Sequence, residues 1–432
     1  MPSNSFKIKS ASLRNKLLNY CEKYDYCFFY DSNAEVNPPS NFTYRSYDFL
    51  VGLGLKKMVK INKDNTFAYL ESFQNKHKTW LFGYFGYDLK NEIEDLQSNN
   101  KDILQLPPSY FIEPQIVITV KADYIQVHAL DRRFKVSKII AAIQNSEDRI
   151  ASYQYKNTIH AETDKKHYKN TFTQLLNQIA LGNIYEVNYC IAFQTKFYGT
   201  TNLNGLYHKL NNISKAPFSA YVRTPEMAII SASPERFIKK SGLKIISQPI
   251  KGTRKRGENN KEDLKLKKDL ENSEKERSEN IMITDLVRND LSIYASRNSV
   301  TVEELCGIYS FKQVHQMIST IVAKIKNNKD YINVIKAAFP MGSMTGAPKI
   351  SAMKIIEKHE QMKRGLYSGA LGYISPSKDY DFNVLIRSIF INIKSKKLMY
   401  CVGSAVTSKA NADEEYNECL IKAKAMMQVL TS

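Results

Sequence analysis

The chain has 432 residues, of which 43% are hydrophobic, 11% aromatic and 24% charged, a composition typical of a globular fold and too apolar for a disordered chain. Its formal net charge of +19 at pH 7 comes from basic residues spread along the whole chain without a concentrated basic arm, so we expect no nucleic-acid partner. No stretch approaches the roughly 20 apolar residues of a membrane span, and the six cysteines form no Cys-x-x-Cys pair. We therefore expect no membrane association and a reducing, cytoplasmic location.

The N-terminal part of the chain, residues 1–150, is predicted to form one region. Within it, residues 115–120 and 124–130 have the composition of two strands joined by a tight turn. A polar stretch at residues 144–169 is the best candidate for a boundary, and residues 165–430 would form the second region. The alternative is that both regions belong to one intertwined globular unit.

The second region is predicted to begin with a helix and to continue mainly in strands. Phe172, Leu175 and Ile179 keep the spacing of one helix face, and Gly182 suits the end of that helix. Strands are then predicted at residues 237–246 (a hairpin), 366–375, 382–391 and 397–402, and helices at residues 271–291, 348–360 and 413–430. Because the strands come in adjacent runs rather than in βαβ alternation, we predict an α+β fold, an antiparallel β-sheet sandwich flanked by helices.

Two pairs of carboxylates occur at a spacing of three residues, each on a predicted helix. Glu276 and Glu279 would share one helix face, and so would Glu415 and Glu418. Two carboxylates on each of two helices could hold a divalent cation, and oxygen ligands favour Mg²⁺ over zinc. Such pairs are also common on solvated helices, so the spacing alone leaves both interpretations open.

Three other segments carry polar groups beside turns. Residues 342–349 (GSMTGAPK) would present Thr345 and main-chain N–H groups at a helix N-terminus, which suits a carboxylate, although the glycine spacing is not that of an ATP-binding phosphate loop. Lys251 follows an apolar strand and is a candidate nucleophile if it is desolvated. Glu235 lies at a strand end and is a candidate general acid if it is partly buried. The alternatives are that residues 342–349 only begin a helix, that Lys251 is an ordinary surface lysine, and that Glu235 is a turn residue.

Together, the order and spacing of these segments resemble the chorismate-utilising enzymes, a family that includes anthranilate synthase component I, aminodeoxychorismate synthase component I, and isochorismate and salicylate synthases. The resemblance is strong from about residue 172 to residue 427 and extends weakly into residues 82–89. The motifs that carry it are IYEVN (184–188), SPERF (233–237), PIKGTRKRG (249–257), ENIMITDLVRNDL (279–291), GSMTGAPK (342–349), NVLIR (383–387) and DEEYNECLIKAKA (413–425). It implies an anthranilate synthase component I-like fold.

The resemblance also implies a role for individual residues. Lys251 would attack chorismate, Glu235 would protonate the departing hydroxyl, and ammonia would then expel the lysine. Four carboxylates would hold an Mg²⁺ ion that binds the ring carboxylate of chorismate: Glu276, Glu279, Glu415 and Glu418. The substrate carboxylates would be held by Thr345, Tyr373, Arg387 and Lys422, with main-chain N–H groups near Gly403.

Lys251 distinguishes between members of the family. Anthranilate synthases have alanine at this position, whereas isochorismate and salicylate synthases carry a catalytic lysine where this chain has Glu186. The resemblance is therefore greatest to members that aminate chorismate to 4-amino-4-deoxychorismate, a step toward 4-aminobenzoate and folate; anthranilate synthase component I is the alternative. No segment resembles a glutaminase, so we expect ammonia from a separate glutamine amidotransferase subunit. Glu186 and Gln316 depart from the family, which usually has Gln and His there.

Overall fold

The computed structural model describes residues 4–7, 12–36, 44–59, 65–122, 124–153, 158–197 and 202–431. The strands of these segments are β1 (Asn4–Lys7), β2 (Cys27–Asp31), β3 (Phe49–Leu53), β4 (Lys57–Val59), β5 (Leu81–Phe85), β6 (Ser109–Glu113), β7 (Ile116–Lys121), β8 (Tyr124–Ala129), β9 (His160–Ala161), β10 (Glu186–Lys196), β11 (Phe218–Arg223), β12 (Met227–Ser233), β13 (Arg236–Ser241), β14 (Lys244–Gln248), β15 (Ile250–Lys255), β16 (Thr301–Ser310), β17 (Val314–Lys324), β18 (Gly346–Ala347), β19 (Ala370–Ile374), β20 (Tyr380–Val384), β21 (Ser388–Asn392) and β22 (Lys397–Thr407). The helices are α1 (Leu13–Cys21), α2 (Thr66–His77), α3 (Lys90–Ile93), α4 (Val136–Gln144), α5 (Lys165–Ala180), α6 (Leu203–Ser214), α7 (Asn260–Glu271), α8 (Glu274–Ser292), α9 (Tyr331–Ala338), α10 (Lys349–His359) and α11 (Ala412–Thr431).

The strands form two antiparallel sheets. In the described residues, the first sheet has the order β1-β8-β7-β3-β2-β11-β12-β21-β22-β10-β18, with β9 beside β10, and the second has the order β15-β17-β14-β13-β20-β19-β5-β6-β4, with β16 beside β17. The predicted α+β class with antiparallel sheets is confirmed. None of the helices in the described segments combines the length and the apolar character that crossing a bilayer requires.

Both sheets contain strands from both ends of the chain. β2 pairs with β11, so that Phe29 lies opposite Tyr221, and β5 pairs with β19, so that Gly83 lies opposite Gly372. Residues 1–150 and residues 165–430 therefore contribute to the same sheets rather than to separate ones.

The first sheet is buried on both faces. In β12, Met227 and Ile229 point into the core that the two sheets share, whereas Ala228 and Ile230 point into a second core that the flanking helices cover. This alternation is the period-two pattern of a strand. A fully buried aliphatic side chain contributes about 1.5–3 kcal/mol to the free energy of folding. The central strands therefore stabilise the packing on both faces of the sheet.

The strand predicted at residues 382–391 is wrong. The chain leaves the second sheet at the end of β20 and enters the first sheet with β21. Arg387, between them, has a φ of +50°, a conformation that a non-glycine residue rarely adopts. Sequence alone could not reveal this crossing, because the apolar residues on either side of it continue without a turn signal.

The predicted helices of the C-terminal half are confirmed with shifted starts. The helix predicted from residue 271 begins at Glu274, because Ser273 accepts the N–H of Glu276 and caps it. The polar segment before it contains a separate helix, α7, which Asn259 caps in the same way.

A buried ion pair connects β10 with the turn at residues 342–344. Arg364 and Glu360 are 1% and 2% exposed, with 2.6 Å between Nη2 and Oε1. Arg364 also donates to the carbonyls of Met344, at 2.6 Å, and Asn188, at 2.7 Å, while Glu360 accepts the N–H of Cys190 at 3.1 Å. The pair thus fixes the 342–344 turn and β10 relative to each other.

We expect Arg364→Leu to lower the free energy of unfolding by about 3–5 kcal/mol, because it leaves the Glu360 carboxylate buried without a counter-charge. Urea denaturation followed by circular dichroism measures this. The control is Arg288→Leu, which removes an exposed pair with Asp285 and should cost less than about 1 kcal/mol. Equal losses in the two variants would contradict the structural role of Arg364.

Candidate active site

A cavity of about 110 Å³ lies where both sheets meet helices α8 and α11. Its walls come from distant parts of the chain. Glu235 comes from the connection between β12 and β13, Lys251 from β15, Arg387 from the crossing between β20 and β21, and Lys422 from α11. Only the folded chain brings these groups together.

Nine of the eleven residues that the sequence predicted for the site line this one cavity. They are Glu235, Lys251, Glu276, Glu279, Arg387, Gly403, Glu415, Glu418 and Lys422. The other two, Thr345 and Tyr373, do not.

Thr345 lies one layer behind the cavity wall. It is fully buried, and its hydroxyl donates to the carbonyls of Met341 and Gly342 at 3.2 and 3.3 Å. Its neighbours Ser343 and Met344 line the cavity instead. Thr345 therefore shapes the turn, and the structure does not place its hydroxyl on the cavity surface.

The structure contradicts the prediction for Tyr373. This residue lies in β19 and packs against Trp80, with ring centroids 5.9 Å apart, in the wall of other cavities. Tyr367, six residues earlier in the same motif, lines the candidate active site. The motif YSGALGY carries a tyrosine at each end, and only the fold decides which of them faces the site.

Lys251 is buried against a carboxylate that the sequence marked only as a departure from the family. It is 8% exposed and Glu186 is 1% exposed, and the two form an ion pair through Nζ and Oε1. Burial lowers the pKa of Lys251, but the carboxylates of Glu186 and Glu279 raise it by more than burial lowers it. The pKa of Lys251 therefore lies above its usual value. Before it can act as a nucleophile, Lys251 must transfer a proton, and Glu186 is the acceptor in contact with it.

Glu235 has the environment of a general acid. It is 4% exposed, and its Oε1 accepts a hydrogen bond from Ser343 at 2.6 Å. Burial raises the pKa of Glu235 to about 7. A carboxyl group with this pKa is protonated in a large fraction of molecules near neutral pH, which suits proton donation.

No carboxylate of the described residues contacts the guanidinium of Arg387, although those of Glu235 and Glu418 attract it. Within the described part of the chain, its guanidinium forms no hydrogen bond or ion pair, and burial lowers its pKa. A guanidinium placed in this way binds carboxylates through two parallel hydrogen bonds. The cavity thus offers an anionic ligand one strong binding group.

The four predicted metal ligands face the cavity, but three of them form ion pairs with cationic side chains. Arg254 contacts Glu276 at 3.1 Å, Lys275 contacts Glu415 at 2.9 Å, and Lys422 contacts Glu418 at 2.7 Å. No three acidic, histidine or cysteine side chains of the described segments form a ligand cluster.

Glu279 is the carboxylate that fits a metal ion best. Its Oε1 is buried and has no hydrogen-bond partner in the described residues, and burial raises the pKa of Glu279 to about 7. The all-oxygen donor set and this unpartnered oxygen fit Mg²⁺ chemically, on the condition that the cationic partners of the other three carboxylates withdraw.

Two glycines allow the close approach of neighbouring elements at the site. A Cβ on Gly403 would lie 2.7 Å from Oδ1 of Asn188 and 2.9 Å from the carbonyl of Tyr189. Gly252 has a φ of +91°, and a Cβ there would lie 3.1 Å from the side chain of Glu276. Glycine is therefore required at both positions by packing.

Asn188 and Ser343 are among the polar residues of the cavity wall that sequence reasoning missed. Oδ1 of Asn188 and Oε1 of Gln316 are buried without a partner among the described residues. Unsatisfied buried polar atoms are costly, so they indicate where a ligand or its water would bind. Asn188 lies in the motif IYEVN, which was a signal for its role.

Comparisons with known proteins agree with this geometry. The model of the family "chorismate binding enzyme" matches residues 28–428. The chain is 32% identical over 357 residues to aminodeoxychorismate synthase component 1 of Salmonella typhimurium, covering 81% of this chain and 76% of the relative. It is 29% identical over 368 residues to anthranilate synthase component 1 of Aquifex aeolicus, covering 81% and 74%.

Solved structures confirm the predicted anthranilate synthase component I-like fold. Anthranilate synthase component I from Streptococcus pneumoniae superimposes with a TM-score of 0.75 at 20% identity, covering 99% of this chain and 92% of that one. The menaquinone-specific isochorismate synthase from Escherichia coli gives the same TM-score at 16% identity, covering 99% and 95%. At these identities the likeness establishes the fold alone.

Proposed function

The chain belongs to the chorismate-binding enzyme family, and we propose that within this family it aminates chorismate with ammonia to form 4-amino-4-deoxychorismate. The observation that carries this proposal is the position of Lys251, buried in the wall of the cavity that also holds Glu235 and Arg387. A lysine at this position supplies a nucleophile, whereas the anthranilate synthases that the chain resembles have an alanine there. The step leads toward 4-aminobenzoate and folate.

Substrate binding in this proposal depends on Arg387 and on the carboxylate set. Arg387 pairs with a carboxylate of chorismate, which gives its guanidinium a partner in direct contact. Glu276, Glu279, Glu415 and Glu418 would hold Mg²⁺, which would supply positive charge to neutralise the ring carboxylate and withdraw electrons from the ring. Tyr367 and Gln316 complete the wall around the substrate.

The chemical step uses three side chains. Lys251 gives a proton to Glu186, and its neutral amine then forms a bond to C2 of the ring. The bond between C4 and the hydroxyl breaks, and Glu235 donates the proton with which the hydroxyl leaves as water. Ammonia then forms a bond to C4 and the bond between C2 and the lysine breaks. The ammonium group of the product returns a proton to Glu235, and Glu186 returns its proton to Lys251.

Ammonia is proposed to come from a separate glutamine amidotransferase subunit. The name "component 1" of the Salmonella typhimurium relative supports a partner of this kind. The described residues of this chain are accounted for by the two sheets and their helices, which form the chorismate-binding fold.

The alternative activity is that of anthranilate synthase component I, which the Aquifex aeolicus relative favours. The two reactions differ in product. Anthranilate is fluorescent and forms with release of pyruvate, whereas 4-amino-4-deoxychorismate retains the enolpyruvyl side chain.

Incubation of the chain with chorismate, ammonium and Mg²⁺ tests the proposal directly. We expect 4-amino-4-deoxychorismate and no pyruvate, and a covalent adduct on Lys251 when ammonia is omitted. Lys251→Met should abolish the adduct and reduce amination by about 10³-fold or more, as for loss of a nucleophile. Peptide mapping by mass spectrometry and a coupled pyruvate assay are the measurements.

The matched control for this experiment is Lys265→Met, which removes an exposed lysine of α7 and should leave the adduct and the rate intact. Fluorescent anthranilate with stoichiometric pyruvate would establish the alternative activity. An adduct on a different lysine would show that the covalent step has been assigned to the wrong residue.

The pH dependence follows from Glu235. Since burial raises the pKa of Glu235 to about 7, its acid form is lost as the pH rises through that value. We expect kcat/KM to decline above neutral pH by nearly tenfold per pH unit. Glu235→Gln should remove this decline and lower the rate by about 10²–10⁴-fold. Glu147→Gln, at an exposed position, should keep the parent profile, and a profile of Glu235→Gln that retains the decline would assign it to another group.

Metal dependence is tested with Glu279, whose buried oxygen has no protein partner among the described residues. Glu279→Gln should weaken the apparent affinity for Mg²⁺ by about tenfold or more. It should change the melting temperature little, because the lost attraction to Lys251 is offset by the lost repulsion from Glu186 and Glu276. Titration of activity with Mg²⁺ and thermal denaturation are the measurements. Full turnover of the parent chain in excess EDTA would refute the metal site.

A further inference from the structure

A larger cavity of about 1040 Å³ lies between the two sheets, and none of the described residues that line it also lines the candidate active site. The hairpin of β7 and β8 forms one wall. The ends of β13 and β19 and the start of β14 form the other, and the connection between α2 and β5 closes the cavity at one side. Nothing in the proposed reaction uses it.

The charge of this cavity is unbalanced. Among the described residues, six lysines and Arg45 line it, against two acidic side chains, Glu113 and Asp379. The lysines are Lys56, Lys78, Lys121, Lys239, Lys240 and Lys244. Both acids already have partners, because Glu113 pairs with Lys56 at 2.7 Å and Asp379 pairs with Lys240 at 3.1 Å. Two further lysines pair with carboxylates outside this lining, Lys239 with Asp381 at 3.8 Å and Lys244 with Glu303 at 2.7 Å. Lys78 and Lys121 remain without such a pair in the described residues.

Two lysines on different walls have no acidic partner in the described part of the chain. Lys121 ends β7 in the first sheet, and Lys78 follows α2 beside the second sheet; both are exposed. Burial lowers the pKa of Lys239 and the carboxylate of Asp381 acts against this, while the neighbouring cations Arg236 and Lys121 lower the pKa further. The pKa of His77 is lowered by burial and by Lys57. The positive potential thus acts on the groups of the cavity itself.

An aromatic surface completes the cavity. Trp80 is 7% exposed, and its ring lies 5.9 Å from that of Tyr373 and 6.4 Å from that of His128. The hydroxyl-bearing residues Ser46, Ser241 and Ser377 also line it. Concave sites with walls of one charge sign concentrate ligands of the opposite sign, and hydroxyl and ammonium groups are donors for phosphate and carboxylate oxygens.

We propose that this cavity binds a small molecule that carries two or more phosphate or carboxylate groups. Lys78 and Lys121 contact separate anionic groups of the ligand from opposite walls, and the aromatic surface at Trp80 borders it. The high net charge of the chain does not by itself account for this arrangement. Lysines that serve only solubility repel one another less on a convex surface than in a cavity, where their charges converge.

The chain contains one tryptophan, and Trp80 in this wall is that residue, so its fluorescence reports on the cavity. We expect a saturable change in Trp80 emission on titration with inorganic tripolyphosphate, with citrate, or with both, at constant ionic strength. Response to tripolyphosphate alone identifies a phosphate ligand, and response to citrate alone a carboxylate ligand. Calorimetry of the same titrations gives a measurement that does not depend on the tryptophan.

The double variant Lys78→Glu/Lys121→Glu should weaken binding by at least about tenfold. The control Lys138→Glu/Lys265→Glu changes the net charge equally at exposed positions outside the cavity and should alter the affinity by less than about twofold. If the first variant fails to fold, Lys78→Gln/Lys121→Gln replaces it. Neither lysine lines the active site, so the rate of chorismate amination should stay at the parent level.

Two results would overturn this proposal. One is the absence of a saturable signal with both probes in both measurements. The other is equal weakening in the cavity variant and its control, which would mean that only the overall charge of the chain matters. Neither result depends on chorismate turnover, so the proposed reaction stands or fails separately.

Discussion

The ion pair between Arg364 and Glu360 is the interaction on which the site depends. Both groups are buried, and burying charge is costly unless every polar atom is satisfied. Arg364 meets this condition by donating to two main-chain carbonyls, and Glu360 by accepting a main-chain N–H. Because those main-chain groups belong to β10 and to the 342–344 turn, satisfying the pair also sets the distance between two walls of the cavity.

In the active-site cavity, by contrast, some charged groups are left without a hydrogen-bond partner. The guanidinium of Arg387 makes no bond or ion pair to the described residues, and one buried oxygen of Glu279 has no partner there. The fold supplies the free energy that keeps these groups desolvated. An anionic substrate together with a cation would satisfy both at once, which explains physically why a site of this kind favours ligands of matched charge.

The errors in the sequence-based description share one cause. The pattern of residues 382–391 is that of a single strand, but the chain changes sheets at Arg387. The tyrosine assigned to the site was Tyr373, but Tyr367 lines it. In both cases the local pattern is compatible with two placements, and the choice between them depends on residues far away in the chain. Glu186 is similar, since its pairing with Lys251 joins residues 65 positions apart.

Local periodicity was enough to predict the α+β class and the helices that carry the carboxylate pairs. The resemblance of the motifs to the chorismate-utilising enzymes identified nine residues of the cavity. Tertiary structure alone decided which side chains are desolvated and which carry a partner. The raised pKa of Glu235, the ion pair of Lys251, the unpartnered Arg387 and the lysine-lined cavity beside Trp80 all follow from burial and from contacts across two sheets. These depend on the distance between elements in space, which no spacing along the chain encodes.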